Sequence, residues 1–368
     1  MAINTILLDF SVNPSAITNK DERKLLQENV ESVLLDYLPS LKFKHSLEIG
    51  DTFVSLYEAD RNSLITVRTF DKGLVACNIE YYKDDNEKPL LTFELTHKLE
   101  KSLREKCQGK RSHAFPAIKR GGIVDRYFPT ADERILEYDI DEVLYEERSP
   151  YQKIQIVHSR SLGNLLVLDD LQNMSESDLV YTETLMQRGK ESYAGKEIII
   201  LGGGDGALLW ELLKENPKFV TMVEIDELVM KACRKYLRTC CGTCLDEYKT
   251  DNYEIIVEDC LKILDKFIKE GKKFDYVFGD LTDIPLSPVP QGEVWDFIRL
   301  ILNTSMRVLK PNGKYMTHGN GASCPESLSM FESQLKQLSI PVQFTRDHAF
   351  VPSFMEDWIF YQVQPVPN

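Results

Sequence analysis

The sequence predicts an α/β protein whose C-terminal half is a mostly parallel sheet with helices on both faces. Two observations carry that expectation. From Ser175 onward, short apolar runs alternate regularly with helix-like stretches, as strands joined by helical crossovers require. Those runs are short and mostly apolar, which suits strands buried on both sides. Ahead of this region lie a smaller β-rich zone and a mixed α+β zone. The expected division is residues 1–115 (α+β), 116–174 (small β-subdomain) and 175–368 (Rossmann-like domain).

In the first zone, residues 22–38 have helical periodicity, and the runs 52–57, 63–68 and 74–80 predict a small antiparallel sheet. Charged, helix-like sequence covers 86–106. The basic stretch 107–120, with Gly109 and Pro116, reads as a solvated linker. In the second zone, 134–145, 153–158 and 165–168 read as strands, with turn chemistry at Ser161-Leu162-Gly163-Asn164. His158 stands alone in its strand and is expected to be structural. Ser175-Glu176-Ser177-Asp178 has capping-box spacing and predicts a helix running to Arg188. Five strands are then expected, at 197–201, 219–225, 253–257, 274–278 and after the turn Lys310-Pro311-Asn312-Gly313. Helices at 207–215, 228–237, 261–269 and 294–309 separate them, and 342–345 and 358–363 are candidates for antiparallel edge strands.

Composition narrows the function classes. The 368 residues carry 44 basic and 58 acidic side chains, a net charge of −14, which disfavours nucleic acid and anionic membranes as partners. Hydrophobic residues at 43% and charged residues at 28% describe a globular chain. No apolar run reaches the ~18 residues of a membrane span, and the first nine residues have no basic n-region, so no secretory signal is expected. Cys241 and Cys244 make the one CxxC, with neither a second pair nor a nearby histidine to complete a zinc set. Reduced thiols in a cytoplasmic protein are the expectation.

In sheets of this kind ligands bind beyond the carboxyl ends of the strands. The first strand ends in Gly202-Gly203-Gly204-Asp205-Gly206-Ala207, glycines that permit a sharp turn and close approach of backbone to a ligand. The next ends in Glu224-Ile225-Asp226, where an acidic residue can take both hydroxyls of a ribose. The third ends in Glu258-Asp259-Cys260 and the fourth in Gly279-Asp280. Asp205 inside the glycine loop would repel a pyrophosphate and attract a cation. The set Asp205, Glu224, Asp259 and Asp280 therefore points to a nucleoside bearing positive charge, with a sulfonium as the natural candidate. Asp259 could equally cap the helix that follows. No metal is expected, since the carboxylates sit on four separate loops without a histidine.

These strand ends resemble those of the aminopropyltransferase (polyamine synthase) family. The stretches Gly121-Gly122-Ile123-Val124-Asp125-Arg126-Tyr127-Phe128-Pro129-Thr130-Ala131-Asp132, Leu136-Glu137-Tyr138-Asp139-Ile140-Asp141-Glu142-Val143, Ser149-Pro150-Tyr151-Gln152 and Glu176-Ser177-Asp178-Leu179-Val180-Tyr181 are similar to its spermine-forming branch. The resemblance is dense from about residue 117 onward and diffuse before it. It implies a methyltransferase-type Rossmann-like fold and transfer of an aminopropyl group from decarboxylated S-adenosylmethionine to spermidine. The donor is a co-substrate, no cofactor is implied, and a homodimer through the N-terminal domain is.

By position, the resemblance gives Gln152, Gly202, Gly204, Glu224, Asp259 and Cys260 to the donor, with Glu224 on the ribose and Asp259 near the adenine amino group. It gives Tyr181, Asp205, Phe354 and Glu356 to the acceptor, and makes Asp280 the proton acceptor, with Asp205 beside it in the catalytic pair. Phe354 stands where a tyrosine is expected, removing one hydroxyl contact. Thr182 fits the spermine-forming branch, whereas Asp283 resembles a putrescine-site carboxylate. Spermidine or thermospermine formation, or a silent polyamine-binding homologue, are the alternatives. Residues 283–290, rich in proline, would make either a lid or a surface connector.

Overall fold

Period-two burial builds the first sheet. In the strand Thr52–Ala59, residues Phe53, Ser55, Tyr57 and Ala59 are buried while their neighbours are not, and Leu74–Lys83 alternates in the same way. The computed structural model describes residues 2–84, 86–130, 132–281 and 293–366. The chain divides into two units, Met1–Asp125 and Arg126–Asn368.

The first unit holds strands β1 (Ala2–Ser11), β2 (Lys42–Ile49), β3 (Thr52–Ala59), β4 (Ser63–Thr69), β5 (Leu74–Lys83), β6 (Arg111–Ala114) and β7 (Ile118–Arg120). They form one sheet in the order β2-β3-β4-β5-β1-β6, with β7 also on β1. Helices α1 (Ser15–Thr18), α2 (Lys20–Tyr37) and α3 (Phe93–Lys106) accompany it. Asn19 caps α2 by accepting from the backbone of Asp21 and Glu22, and Leu26, Val30, Val33 and Leu34 form its buried stripe. Thr92 caps α3. The expected linker at 107–120 is corrected here, because β6 and β7 both pair antiparallel with β1. These strands of four and three residues gain their place from backbone bonds to β1, which no local side-chain pattern announces.

The second unit begins with a hairpin, β8 (Tyr127–Pro129) and β9 (Ile135–Glu137), and an antiparallel meander of β10 (Ile140–Arg148), β11 (Lys153–Ser159), β12 (Gly163–Leu168) and β13 (Leu171–Ser175). Helix α4 (Leu179–Leu185) follows. The capping box expected at Ser175–Asp178 forms in half: the buried Asp178 carboxylate accepts from the Ser175 N–H, but Ser175 Oγ takes the Ser177 N–H, and the Asp178 N–H goes to the Ser175 carbonyl. Ser175 also closes β13 opposite Leu165, and the second Asp178 oxygen accepts from the Ser353 N–H. The helix consequently starts at Leu179 and is short.

The main sheet comprises β14 (Glu197–Gly202), β15 (Phe219–Glu224), β16 (Tyr253–Val257), β17 (Phe274–Asp280), β18 (Leu309–Gly321), β19 (Val342–Val351) and β20 (Glu356–Pro365). Its order is β16-β15-β14-β17-β18-β20-β19. The first five strands are parallel, and β20 and β19 add antiparallel to the end, so β20 is interior and β19 the edge. The turn expected at Lys310–Gly313 appears as a slip in register, with Phe274 opposite Leu309 but Tyr276 opposite Lys314.

Helices α5 (Ala207–Leu213), α6 (Glu227–Tyr236) and α7 (Arg238–Cys241) belong to one layer, and α8 (Cys260–Glu270), α9 (Glu293–Val308) and α10 (Pro325–Leu335) to the other. Strand β14 shows why: Ile198 and Ile200 enter the first core, Ile199 and Leu201 the second, and all four are fully buried. Each such side chain contributes about 1.5–3 kcal/mol of burial free energy, so the strand is fixed from both faces. The chain winds outward from β14 to one side and from β17 to the other. Sheets of this kind bind ligands at such a switch point, beyond the carboxyl ends of the strands. Among the described residues no helix is long and apolar enough to cross a membrane.

Candidate active site

Strands β14 and β17 pair so that Gly202 lies directly opposite Asp280. A Cβ on Gly202, whose φ is +83°, would come within 2.2 Å of the Asp280 carbonyl oxygen. Only glycine fits both that conformation and that approach. Gly203 N–H donates to the same oxygen at 3.0 Å. Gly204 lies under the Glu224 carboxylate, where a Cβ would sit 2.8 Å from Oε2. Asp205 turns the loop into α5 by accepting from the Ala207 N–H at 2.7 Å. The Cys244 thiol donates to the Gly206 carbonyl at 3.3 Å, which holds the loop from behind.

Three carboxylates thus gather around one loop, and their electrostatics follow. Burial pushes Glu224 up to about 7, with the nearby charges of Asp226 and Asp205 adding to the rise. Asp205 is raised by burial. Asp280 is raised by burial and then by Asp205, while its hydrogen bond from Tyr181 works the other way. Such a group of anions, short of compensating charge, is built for a cationic ligand.

Tyr181, on α4, donates its hydroxyl to Asp280 Oδ1 at 3.2 Å. Burial and the Asp280 charge raise its own pKa well above the ordinary value, so it stays a donor. Around its ring stand Phe360 at 5.2 Å, His318 at 5.7 Å and Phe354 at 6.0 Å between centroids, the last edge-on. Phe354 in turn lies 4.6 Å from Trp358. His318 sits within hydrogen-bond distance of the Leu281 carbonyl through Nε2 (3.1 Å) and of Trp358 Nε1 through Nδ1 (3.4 Å). Burial lowers its pKa to about 4, so it is neutral, and its partners fix the tautomer with the proton on Nε2.

Gln152 and the end of β15 are joined by Asp226. Its buried carboxylate accepts from Ser149 Oγ at 2.7 Å and Gln152 Nε2 at 3.0 Å through Oδ2, and from the Leu228 N–H through Oδ1. The Asp226 N–H donates to Glu224 at 2.8 Å. Asp259 caps α8 through the Leu261 N–H at 2.8 Å, and Cys260 is the buried first residue of that helix, its thiol pushed up to about 12 by burial. Glu356, at the start of β20, bonds away from this group: Oε1 accepts from the Ser323 N–H at 2.7 Å, and Oε2 lies 3.5 Å from Arg134.

The spermine/spermidine synthase domain matches residues 178–365, half of the chain, and the spermidine synthase tetramerisation domain matches 127–176. The chain belongs to the spermine/spermidine synthase family. It is 31% identical over 222 residues to polyamine aminopropyltransferase 1 of Hyperthermus butylicus, spanning 59% of this chain and 73% of that protein. It is 27% identical to the thermospermine synthase ACAULIS5 of Arabidopsis thaliana, over 63% of this chain and 67% of that one. Among solved structures, the spermidine synthase of Thermotoga maritima superposes with a TM-score of 0.52 at 22% identity, covering 65% of this chain and 78% of that chain. A spermidine synthase in complex with the transition-state analogue AdoDATO gives the same score and identity, covering 66% and 81%. These two likenesses establish the fold.

Against this family's frame, the structure brings Gly202, Gly204, Asp205, Glu224, Asp280 and Tyr181 to one place, with Phe354 beside Tyr181. Gln152 reaches the group through Asp226, and Asp259 and Cys260 stand at the end of the strand next to Glu224. Asp283 and the stretch 283–290 lie outside the described residues. Sequence reasoning missed His318, Trp358 and Arg134 as site residues, and it read Asp178 only as part of a helix cap. His318 had a readable signal, since Thr317-His318-Gly319-Asn320 is the polar end of the fifth parallel strand and the strand-end rule applies there too.

Proposed function

We propose that this protein transfers an aminopropyl group from decarboxylated S-adenosylmethionine to spermidine, forming spermine and methylthioadenosine. The observation that carries the reading is the Tyr181–Asp280 hydrogen bond set beside Asp205 and Glu224 at the glycine loop. A sulfonium nucleoside with an aminopropyl tail and a polyamine are both cations, and this site is a group of buried carboxylates whose raised pKa values fall back when cations arrive.

The amine nitrogen attacks the aminopropyl methylene next to sulfur. The new C–N bond forms as the C–S bond breaks, the electron pair goes to sulfur, and the proton goes to Asp280. An alkylammonium of pKa ~10.4 costs about 4–5 kcal/mol to deprotonate at neutral pH, and a carboxylate with a raised pKa is a closer match to that proton than an ordinary one. Tyr181 fixes the orientation of Asp280. Asp205 holds an amine, and Glu224 takes the ribose hydroxyls. With its Nε2 engaged by Asp226, Gln152 has Oε1 for the nucleoside, while Asp259 and Cys260 flank the adenine. Tyr181, Phe354 and Trp358 give the acceptor's methylenes an apolar wall, and Glu356 takes its far ammonium. That last feature, together with Thr182, favours spermidine over putrescine as acceptor.

The first unit supports association of two copies, because its edge strand β2 leaves Phe43, Leu47 and Ile49 exposed. The deciding experiment supplies the donor with putrescine or spermidine and identifies products by chromatography with mass spectrometry. Spermine and thermospermine have equal mass, so the separation must resolve them. Product only from putrescine would replace the spermine reading by spermidine formation, and no product from either would leave a binding protein.

A further inference from the structure

We propose that Arg134 is a displaceable counter-cation on the far end of the acceptor site and sets how tightly that end holds a polyamine. The inference rests on the reading of Glu356 as the carboxylate for the acceptor's far ammonium. Glu356 is held firmly in place. Its Oε1 accepts the Ser323 N–H at 2.7 Å, and its carboxyl group lies over Gly321, where a Cβ would sit within 2.6 Å of every carboxyl atom. Its side chain is only 13% exposed, so the carboxylate needs a positive partner.

The partner is Arg134, just ahead of β9, and its attachments are unequal. Nε donates to both oxygens of Asp132 at 2.9 and 2.7 Å, whereas the terminal nitrogen stands 3.5 Å from Glu356 Oε2. The guanidinium is therefore owned by Asp132 and lent to Glu356. It can leave Glu356 by giving up one long contact while keeping its paired one, and its 48% exposure gives it water to move into. An alkylammonium can approach Oε2 at about 2.7–2.9 Å, closer than the guanidinium does. Both cations cannot take that oxygen at contact distance without repelling each other. A site open for only part of the time binds with its dissociation constant raised by the inverse of that fraction. The device weakens acceptor and product alike at this end, which matters because the product carries one more amine than the acceptor in a site already rich in carboxylates.

The test is steady-state kinetics on the full chain with spermidine as acceptor. Arg134→Gln is expected to lower the acceptor KM by about three- to tenfold, with the donor KM within twofold and the gain shrinking as salt is raised. Asp132→Asn frees the guanidinium to settle on Glu356 and is expected to raise the acceptor KM, a change of opposite sign that simple damage to the hairpin does not produce. On a Glu356→Gln background, Arg134→Gln should add nothing. An acceptor KM that is unchanged or raised in Arg134→Gln, while Glu356→Gln weakens the acceptor, overturns the counter-cation and leaves the Glu356 subsite standing. An acceptor KM unmoved by Glu356→Gln overturns both. A fall that persists on the Glu356→Gln background places the effect elsewhere and overturns the proposal.

Discussion

Tyr181 and Asp280 stand 99 positions apart in the chain, and the tyrosine hydroxyl meets the aspartate Oδ1 at 3.2 Å. The bond draws the Asp280 pKa down, while the neighbouring Asp205 charge drives it up. The two influences can be separated by mutation.

Tyr181→Phe should move the acidic limb of kcat/KM for the acceptor to higher pH, because Asp280 loses its donor. Asp205→Asn should move the limb to lower pH, because the repelling charge is gone. Activity falls in both variants, so the profiles are compared after normalisation. Shifts of the same sign in the two variants would remove Asp280 as the group that titrates.

Asp280→Asn should reduce turnover by about 10²–10⁴-fold, the usual worth of a positioned base. The amide keeps the shape and cannot take the proton. Binding of methylthioadenosine, measured by calorimetry, should change less than about threefold, since the proposed nucleoside contacts are made by other side chains, Gln152, Glu224 and Asp259 among them. Turnover within threefold of the parent protein would take the base role from this residue.

The free protein should lose stability as pH rises from about 5 to about 8. Burial holds Glu224 near 7 and raises Asp205 and Asp280, whereas unfolded carboxyl groups ionise near ~4. Between those values the native state binds more protons than the unfolded one. Stability from these groups is fully present below the unfolded pKa and is lost as pH climbs through the native values, by up to about 1.4 kcal/mol per pH unit for each proton involved. Denaturant midpoints across the window give the measurement, and added spermidine should flatten the slope. A free-protein curve that rises from pH 5 to 8 would contradict the carboxylate assignment.

S-adenosylmethionine should bind at least about tenfold more weakly than its decarboxylated form. Its additional carboxylate would enter the group formed by Asp205, Glu224 and Asp280, where an unpaired anion is costly. Equal affinities by calorimetry would redirect attention to methyl transfer.

The convergence of Gly202, Gly204, Asp205, Glu224 and Asp280 was legible because each closes a parallel strand or the turn after it, and parallel strands bring their ends together without any knowledge of side-chain packing. His318 and Trp358 were harder. They meet through the antiparallel pairing of β18 with β20, which brings residues 40 positions apart into contact and leaves no local pattern. Asp178 was legible in part: its spacing from Ser175 gave the bond to the Ser175 N–H, but the pairing of Ser175 into the sheet moved the helix start to Leu179, and the distant Ser353 N–H that donates to the other oxygen left no local pattern. Strands β6 and β7 escaped notice because three or four residues cannot display a period. Arg134 reaches Glu356 across 222 positions of sequence, a contact that its place at the start of the expected strand 134–145 does not announce.

The turn from β19 into β20 carries Phe354, and Glu356 and Trp358 follow on β20, at the antiparallel border of a sheet whose glycine loop and Glu224 lie on β14 and β15. The candidate site is thereby divided between an interior fixed by parallel pairing and a peripheral hairpin. On the proposed reading, exchanging a few side chains on that hairpin would retune which amine is chosen without disturbing the nucleoside pocket, so a lineage built on this scaffold could diversify its products by editing a border rather than rebuilding a centre.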